Sequence, residues 1–180
     1  MSRAAANRYA VALFELSMEK NMLEDIQAEL EAVKQVFQDN DKLPALLHHP
    51  KVPADKKEQL LRESFAGMSE PVTNTLLLLL KKNRIDSVVL LAERFQELAD
   101  EEQKVGHAVV YTVKPLSETD RKFISENFAR KVGKATLHIE NRLDPRLVGG
   151  IKVQIGDTIF DGSVKGQLNR LERELVSGKR

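Results

Sequence analysis

The 180-residue chain has no cysteine. Disulfides, thiolate catalysis and cysteine metal sites are therefore excluded, and a reducing compartment fits. Long apolar runs are missing too. None exceeds six residues, and the five leucines at 76–80 are closed at once by Lys81 and Lys82. A membrane-crossing helix needs roughly 18 apolar residues, so no direct membrane insertion is expected. The start, MSRAAANRYAVALFELSMEKN, lacks a secretory apolar core and carries Glu15 and Glu19. It reads as a mature cytosolic N-terminus. Glycine is nearly absent from the first 105 residues, where only Gly67 occurs; the other eight follow. Glycine costs a helix interior about 1 kcal/mol relative to alanine, so the first part reads as all-helical and the second as mixed.

Phosphate-binding and catalytic patterns are also lacking. No GxxxxGK[ST] loop is present, so no nucleotide cofactor is expected. Gly149 and Gly150 precede a strand rather than a helix, which is the wrong setting for a dinucleotide fingerprint. His48, His49, His107 and His138 have no metal-ligand spacing, and no metal site is expected. Asp157 and Asp161 could be a carboxylate pair for acid–base work or Mg²⁺. Their places at a hairpin turn and before Gly162 favour local backbone bonding instead. Basic residues are not interleaved with aromatics, so a nucleic-acid platform is poorly supported.

What is present is periodic. Hydrophobic residues make up 42% and charged residues 31%, the balance of a globular protein. In the first part, apolar spacing and stop signals predict six helices. They cover about 4–20, 23–38, a short segment after Asp41 with Pro44 in its first turn, 54–65, a segment opened by Ser69 and Pro71, and one capped by Asp86 that ends before Gly106. In the second helix Leu23, Ile26, Leu30, Val33 and Phe37 form one stripe. Short connections between amphipathic helices imply a compact bundle over residues 1–105.

Residues 106–180 alternate strand and helix. Strands are expected over 107–113, 136–140, 151–155 and 158–160, with a two-residue turn at Gly156-Asp157. Ser117 and Asp120 form a capping box ahead of Ile124, Phe128 and Val132. Val164, Leu168, Leu171 and Leu175 make the stripe of a last helix. The order β, α, β, β, β, α suggests a small α/β sandwich, giving an α+β chain of two domains, 1–105 and 106–180. Residues 1–105 carry 14 Lys+Arg and 18 Asp+Glu, a balance of −4; residues 106–180 carry 14 and 9, a balance of +5. The parts either favour partners of opposite charge or carry scatter on solvated faces.

Two segments resemble a known family. RYAVALF at 8–14 is similar to the opening of the delta subunit family of F-type ATP synthases, the family of the oligomycin-sensitivity-conferring protein. LVGGIKVQIGD at 147–157, with DGSV at 161–164 and Leu168, resembles that family's C-terminal signature. The resemblance implies a six-helix bundle that binds the N-terminal helices of the catalytic head's alpha subunits in a groove between its first and fifth helices. It implies a C-terminal domain that binds the C-terminal ends of the stalk b subunits. It further implies a non-catalytic connector that resists rotor torque, at one copy per complex, with no cofactor and no nucleic acid. The place implied is the cytoplasmic face of a bacterial cell membrane, a processed organelle protein being the alternative.

The first helix has two apolar stripes: Tyr9, Ala12, Leu13 and Leu16 on one side, and Val11, Phe14 and Met18 on another. Either the bundle covers both, or one is left for a partner helix. The fifth helix, with Leu76 to Leu80, is apolar nearly all round and poses the same alternative. Tyr9, Ala12, Leu13, Leu16, Leu76, Leu79 and Leu80 are the expected partner-binding residues. Two rival readings are an RNA- or ribosome-associated adaptor, suggested by the +5 balance, and a small transferase or hydrolase. The first predicts binding that weakens steeply with salt. The second needs a polar pocket that the sequence does not locate.

Overall fold

The computed structural model describes residues 3–40 and 42–176. Asp41, expected just before the third helix, lies outside the described residues. The chain divides into two compact units, residues 1–99 and 100–180. That boundary falls inside the last helix of the first unit, a few residues before the change in glycine content.

The first unit is built from α1 (Arg3–Glu19), α2 (Leu23–Asp39), α3 (Lys42–His48), α4 (Ala54–Ser64), α5 (Glu70–Lys81) and α6 (Val88–Glu102). A single 3-10 turn, Ile85–Ser87, precedes α6. Asp86 was expected to cap α6. It lies within the 3-10 turn instead, and its carboxylate pairs with the ring of His48 on α3. The α2 stripe is buried as its spacing requires, through Ile26, Leu30, Val33 and Phe37. It meets Leu13, Leu61, Val72, Leu76, Leu79, Leu91 and Phe95 in one core. Ring contacts lock this core: Phe14 stands edge-on to Phe95 at 6.1 Å, and Phe37 stacks on Phe65 at 6.1 Å.

Asparagine ends two helices. Asn21 and Asn83 adopt φ of 53° and 54°, left-handed values that asparagine tolerates better than most residues. After α5, the N–H of Asn83 bonds to Leu80 O and that of Arg84 to Leu79 O, so orphan carbonyls are satisfied. The start of α5 is capped from another helix. Both the N–H and the hydroxyl of Ser69 donate to the Glu29 carboxylate on α2, at 2.8 and 2.6 Å. A negative group there also complements the helix dipole.

The second unit contains β1 (Val105–Thr112), α7 (Glu118–Lys131), β2 (Thr136–Leu143), β3 (Lys152–Ile155), β4 (Thr158–Asp161) and α8 (Val164–Val176). The sheet order is β2-β1-β3-β4. Strands β1 and β2 run parallel, from Val105 opposite Thr136 to Thr112 opposite Leu143; the other pairs are antiparallel. Helix α7, opened by the Ser117–Asp120 capping box, carries Ile124, Phe128 and Ala129 into a core with Ala108, Val110, Leu137, Ile139 and Val153. Strand β2 runs three residues past its expected end. Its Asn141 amide donates to Val110 O and Thr112 Oγ1 and accepts from the N–H of Leu116. A polar residue thus prolongs the strand by serving the neighbouring strand and loop. The chain is α+β, as expected.

The β2 edge is covered in its first half. Ser125 on α7 accepts the N–H of Leu137 at 2.8 Å and donates to its carbonyl at 3.1 Å. Arg121 donates to Ile139 O at 2.9 Å. Side chains of one helix occupy groups that a further strand would need.

Candidate partner-docking surfaces

Helices α1 and α5 leave a groove of about 210 Å³ between them. Leu16 and Lys20 line it from α1, and Glu70, Pro71, Asn74, Thr75 and Leu78 line it from α5. Leu16, Pro71 and Leu78 give it an apolar lining, and Lys20, Glu70 and Asn74 add polar groups. A groove of this composition suits an amphipathic helix with polar flanks.

The expected partner-binding residues divide three ways. Leu13, Leu76 and Leu79 are only 3%, 1% and 0% exposed and belong to the bundle's own core. Their side chains are packed into the bundle and are not on the surface where a helix would dock. Tyr9 and Leu80 are half-buried against that core, and Ala12 is exposed. Of the seven, Leu16 alone lines the groove. The buried alanines of α1 are Ala5, Ala6 and Ala10.

The sequence reading missed Leu78, which is 42% exposed. The signal was partial. The stripe on α5 runs from Val72 through Leu76 and Leu79, which sets both Leu77 and Leu78 off it, and of these two Leu77 is buried while Leu78 stays open. On α1, Phe14 is spent on Phe95, while Met18 stays 40% exposed.

A larger hollow of about 470 Å³ lies between the start of α1 and α6. Part of its polar wall pairs internally: Arg94 donates to Asn7 at 2.8 Å and to Glu97 at 2.6 Å.

The second open surface is α8. Val164, Leu168, Leu171 and Leu175 recur at spacings of four, three and four, which puts them on one face. Leu168, Leu171 and Leu175 are 60%, 55% and 83% exposed. Lys165, Arg170 and Arg173 are exposed on the same helix.

The remaining candidate groups are structural. Gly156 has φ of 55° and makes the tight turn before Asp157. Asp161 accepts the N–H of Ser163 at 2.9 Å, and bonding to Ser163 holds its carboxyl below the usual range. His107 meets Asp100 at 2.6 Å and lies edge-on to His138. Among the described residues no group of three or more metal-ligating side chains converges.

Comparison with known proteins gives this geometry a family. The model of the ATP synthase delta (OSCP) subunit matches residues 5–175. ATP synthase subunit delta of Geobacillus sp. (strain WCH70) is 48% identical over 171 residues, covering 95% of this chain and 96% of that protein. The subunit delta of Halalkalibacterium halodurans is 49% identical over 180 residues, covering 99% and 98%. Among solved structures, a chain of the Toxoplasma gondii mitochondrial ATP synthase hexamer matches with a TM-score of 0.62 at 23% identity, covering 95% of this chain and 97% of that one. That likeness is one of fold. The family model and the two bacterial relatives span nearly the whole sequence, and the chain belongs to the ATP synthase delta (OSCP) subunit family.

Proposed function

We propose that the chain ties the catalytic head of an F-type ATP synthase to its peripheral stalk through two separate helical surfaces. As a member of its family it is a structural component of the peripheral stalk and not a catalytic subunit. The observation that supports the two-ended reading is that each compact unit leaves an apolar helical surface open. In the first unit this is the α1/α5 groove, and in the second it is the α8 stripe.

The groove takes an N-terminal helix of a head alpha subunit. Its occupant lays an apolar face on Leu16 and Leu78 and meets Lys20 and Glu70 at the rim. The α8 stripe takes the C-terminal ends of the b subunits, and the +5 balance of residues 106–180 favours an acidic partner surface. With both ends engaged, the chain transmits the reaction torque of the head to the stalk. One copy per complex suffices, at the cytoplasmic face of the membrane. No helix among the described residues is long and apolar enough to cross a membrane.

Calorimetry of the full chain against an alpha N-terminal segment and a b C-terminal segment tests this reading. Each should bind one-to-one, and saturation with one should leave the other's affinity unchanged. Competition between the two segments would overturn the two-surface account.

A further inference from the structure

The loops of the C-terminal signature converge on the root of α8. The N–H of Gly162 bonds to Ile151 O at 3.0 Å, and that of Val164 to Gly149 O at 3.1 Å. The first residue of α8 is thus tied to the Gly149-Gly150 loop. Ser163, buried to 3% exposure, caps the helix by accepting the N–H of Gly166 at 3.0 Å. Asp161 in turn holds the N–H of Ser163.

Two glycines let these parts close up. Gly150 has φ of 82°, and a Cβ there would strike the carbonyl of Gly162 and lie 2.9 Å from Ser163 Cα. A Cβ on Gly166 would lie 2.8 Å from the Asp161 carboxylate. Beyond this root the helix keeps its apolar stripe exposed. A collar therefore grips one end of an otherwise open helix.

We propose that Gly150, Asp161 and Ser163 are positioning residues for stalk attachment: they fix the direction in which α8 leaves the sheet, so that its stripe is presented to the stalk already aimed. The proposal rests on α8 being the stalk-binding surface. Pre-set direction lowers the ordering cost of binding, since a helix that swivels at its root must be immobilised each time a partner docks. The collar residues act without touching the partner.

The chain has no native cysteine, so cysteines placed at the exposed Thr136 and Asn169 can carry one pair of spin labels in the full-length protein. Electron–electron double resonance then reads the direction of α8 against β2. The native collar should give one narrow distance distribution. Asp161→Ala and Ser163→Ala should broaden it and weaken binding of a b C-terminal segment roughly tenfold. Affinity for the alpha segment and hydrogen exchange at the Val110 and Val153 amides should stay native. Asp161→Asn, which keeps an oxygen to accept the Ser163 N–H, should restore both the distribution and the affinity. Weakened stalk binding with a native distribution would overturn the proposal, as would a broadened distribution with native binding. A Leu168→Glu/Leu171→Glu chain that binds the b segment normally would instead remove the α8 reading on which it stands.

Discussion

Adjacent leucines on α5 should behave as opposites. Leu79 is 0% exposed in the bundle core, whereas Leu78 is 42% exposed on the groove. Leu79→Ala removes a packed side chain and leaves a cavity, a change that costs about 3 kcal/mol. For a unit of this size each kcal/mol moves the melting temperature by roughly 4–8 °C, so its melt should fall by about 12–24 °C. Leu78→Glu changes an exposed site and should shift stability by no more than about 0.5 kcal/mol. Its effect falls on binding. A docked helix would cover the exposed part of Leu78, roughly 80 Å², worth about 2 kcal/mol at ~25 cal/mol per Å². Losing that contribution weakens affinity about thirtyfold, and desolvating the new carboxylate adds to the loss. Far-UV circular dichroism melts and calorimetry with the alpha N-terminal segment separate the two effects. A Leu78→Glu chain that binds normally, or a Leu79→Ala chain that melts like the native one, would refute this assignment of faces.

Further outcomes follow from the fold. A fragment of residues 1–105 should fold alone, refold quickly because its contacts are local, and bind the alpha segment but not the b segment; circular dichroism and calorimetry check this. Combined Ser125→Ala and Arg121→Ala should expose the β2 edge, raising hydrogen exchange at the Leu137 amide and producing concentration-dependent association in light scattering. Bonding to the hydroxyl and N–H of Ser117 holds the Asp120 carboxyl below its usual range. A folded-state value below the unfolded one means that the capping box stabilises α7 above the unfolded value and loses this as pH falls through the folded one. Acidification should therefore speed amide exchange at the start of α7, and Asp120→Asn should flatten that dependence.

How much was legible in the sequence depended on the kind of signal. The α2 stripe and the Ser117–Asp120 box are local patterns, and both form as the spacing predicts. The element order of the second unit was equally plain, because each strand is bounded by a turn residue. Legibility failed where tertiary context decides. Nothing local tells that Asn141 serves β1 and the following loop, or that Asp86 turns to His48 rather than capping α6. The fifth helix shows the limit for the site: the core spacing from Val72 sets both Leu77 and Leu78 apart from Leu76 and Leu79, and only tertiary packing decides that Leu77 is buried and Leu78 open. The Gly149-Gly150 loop reads as a turn, but its closeness to Gly162 and Ser163 follows from chain pairing across β3 and β4.

The central claim is that one chain must hold the head and the stalk at once. Proton-driven ATP synthesis by membranes that retain the b subunits, recombined with heads lacking this subunit, tests it most directly. The full chain should restore coupled synthesis, while residues 1–105 and the Leu168→Glu/Leu171→Glu chain should bind the head and leave synthesis uncoupled. Restoration of coupled synthesis by residues 1–105 alone would contradict the account.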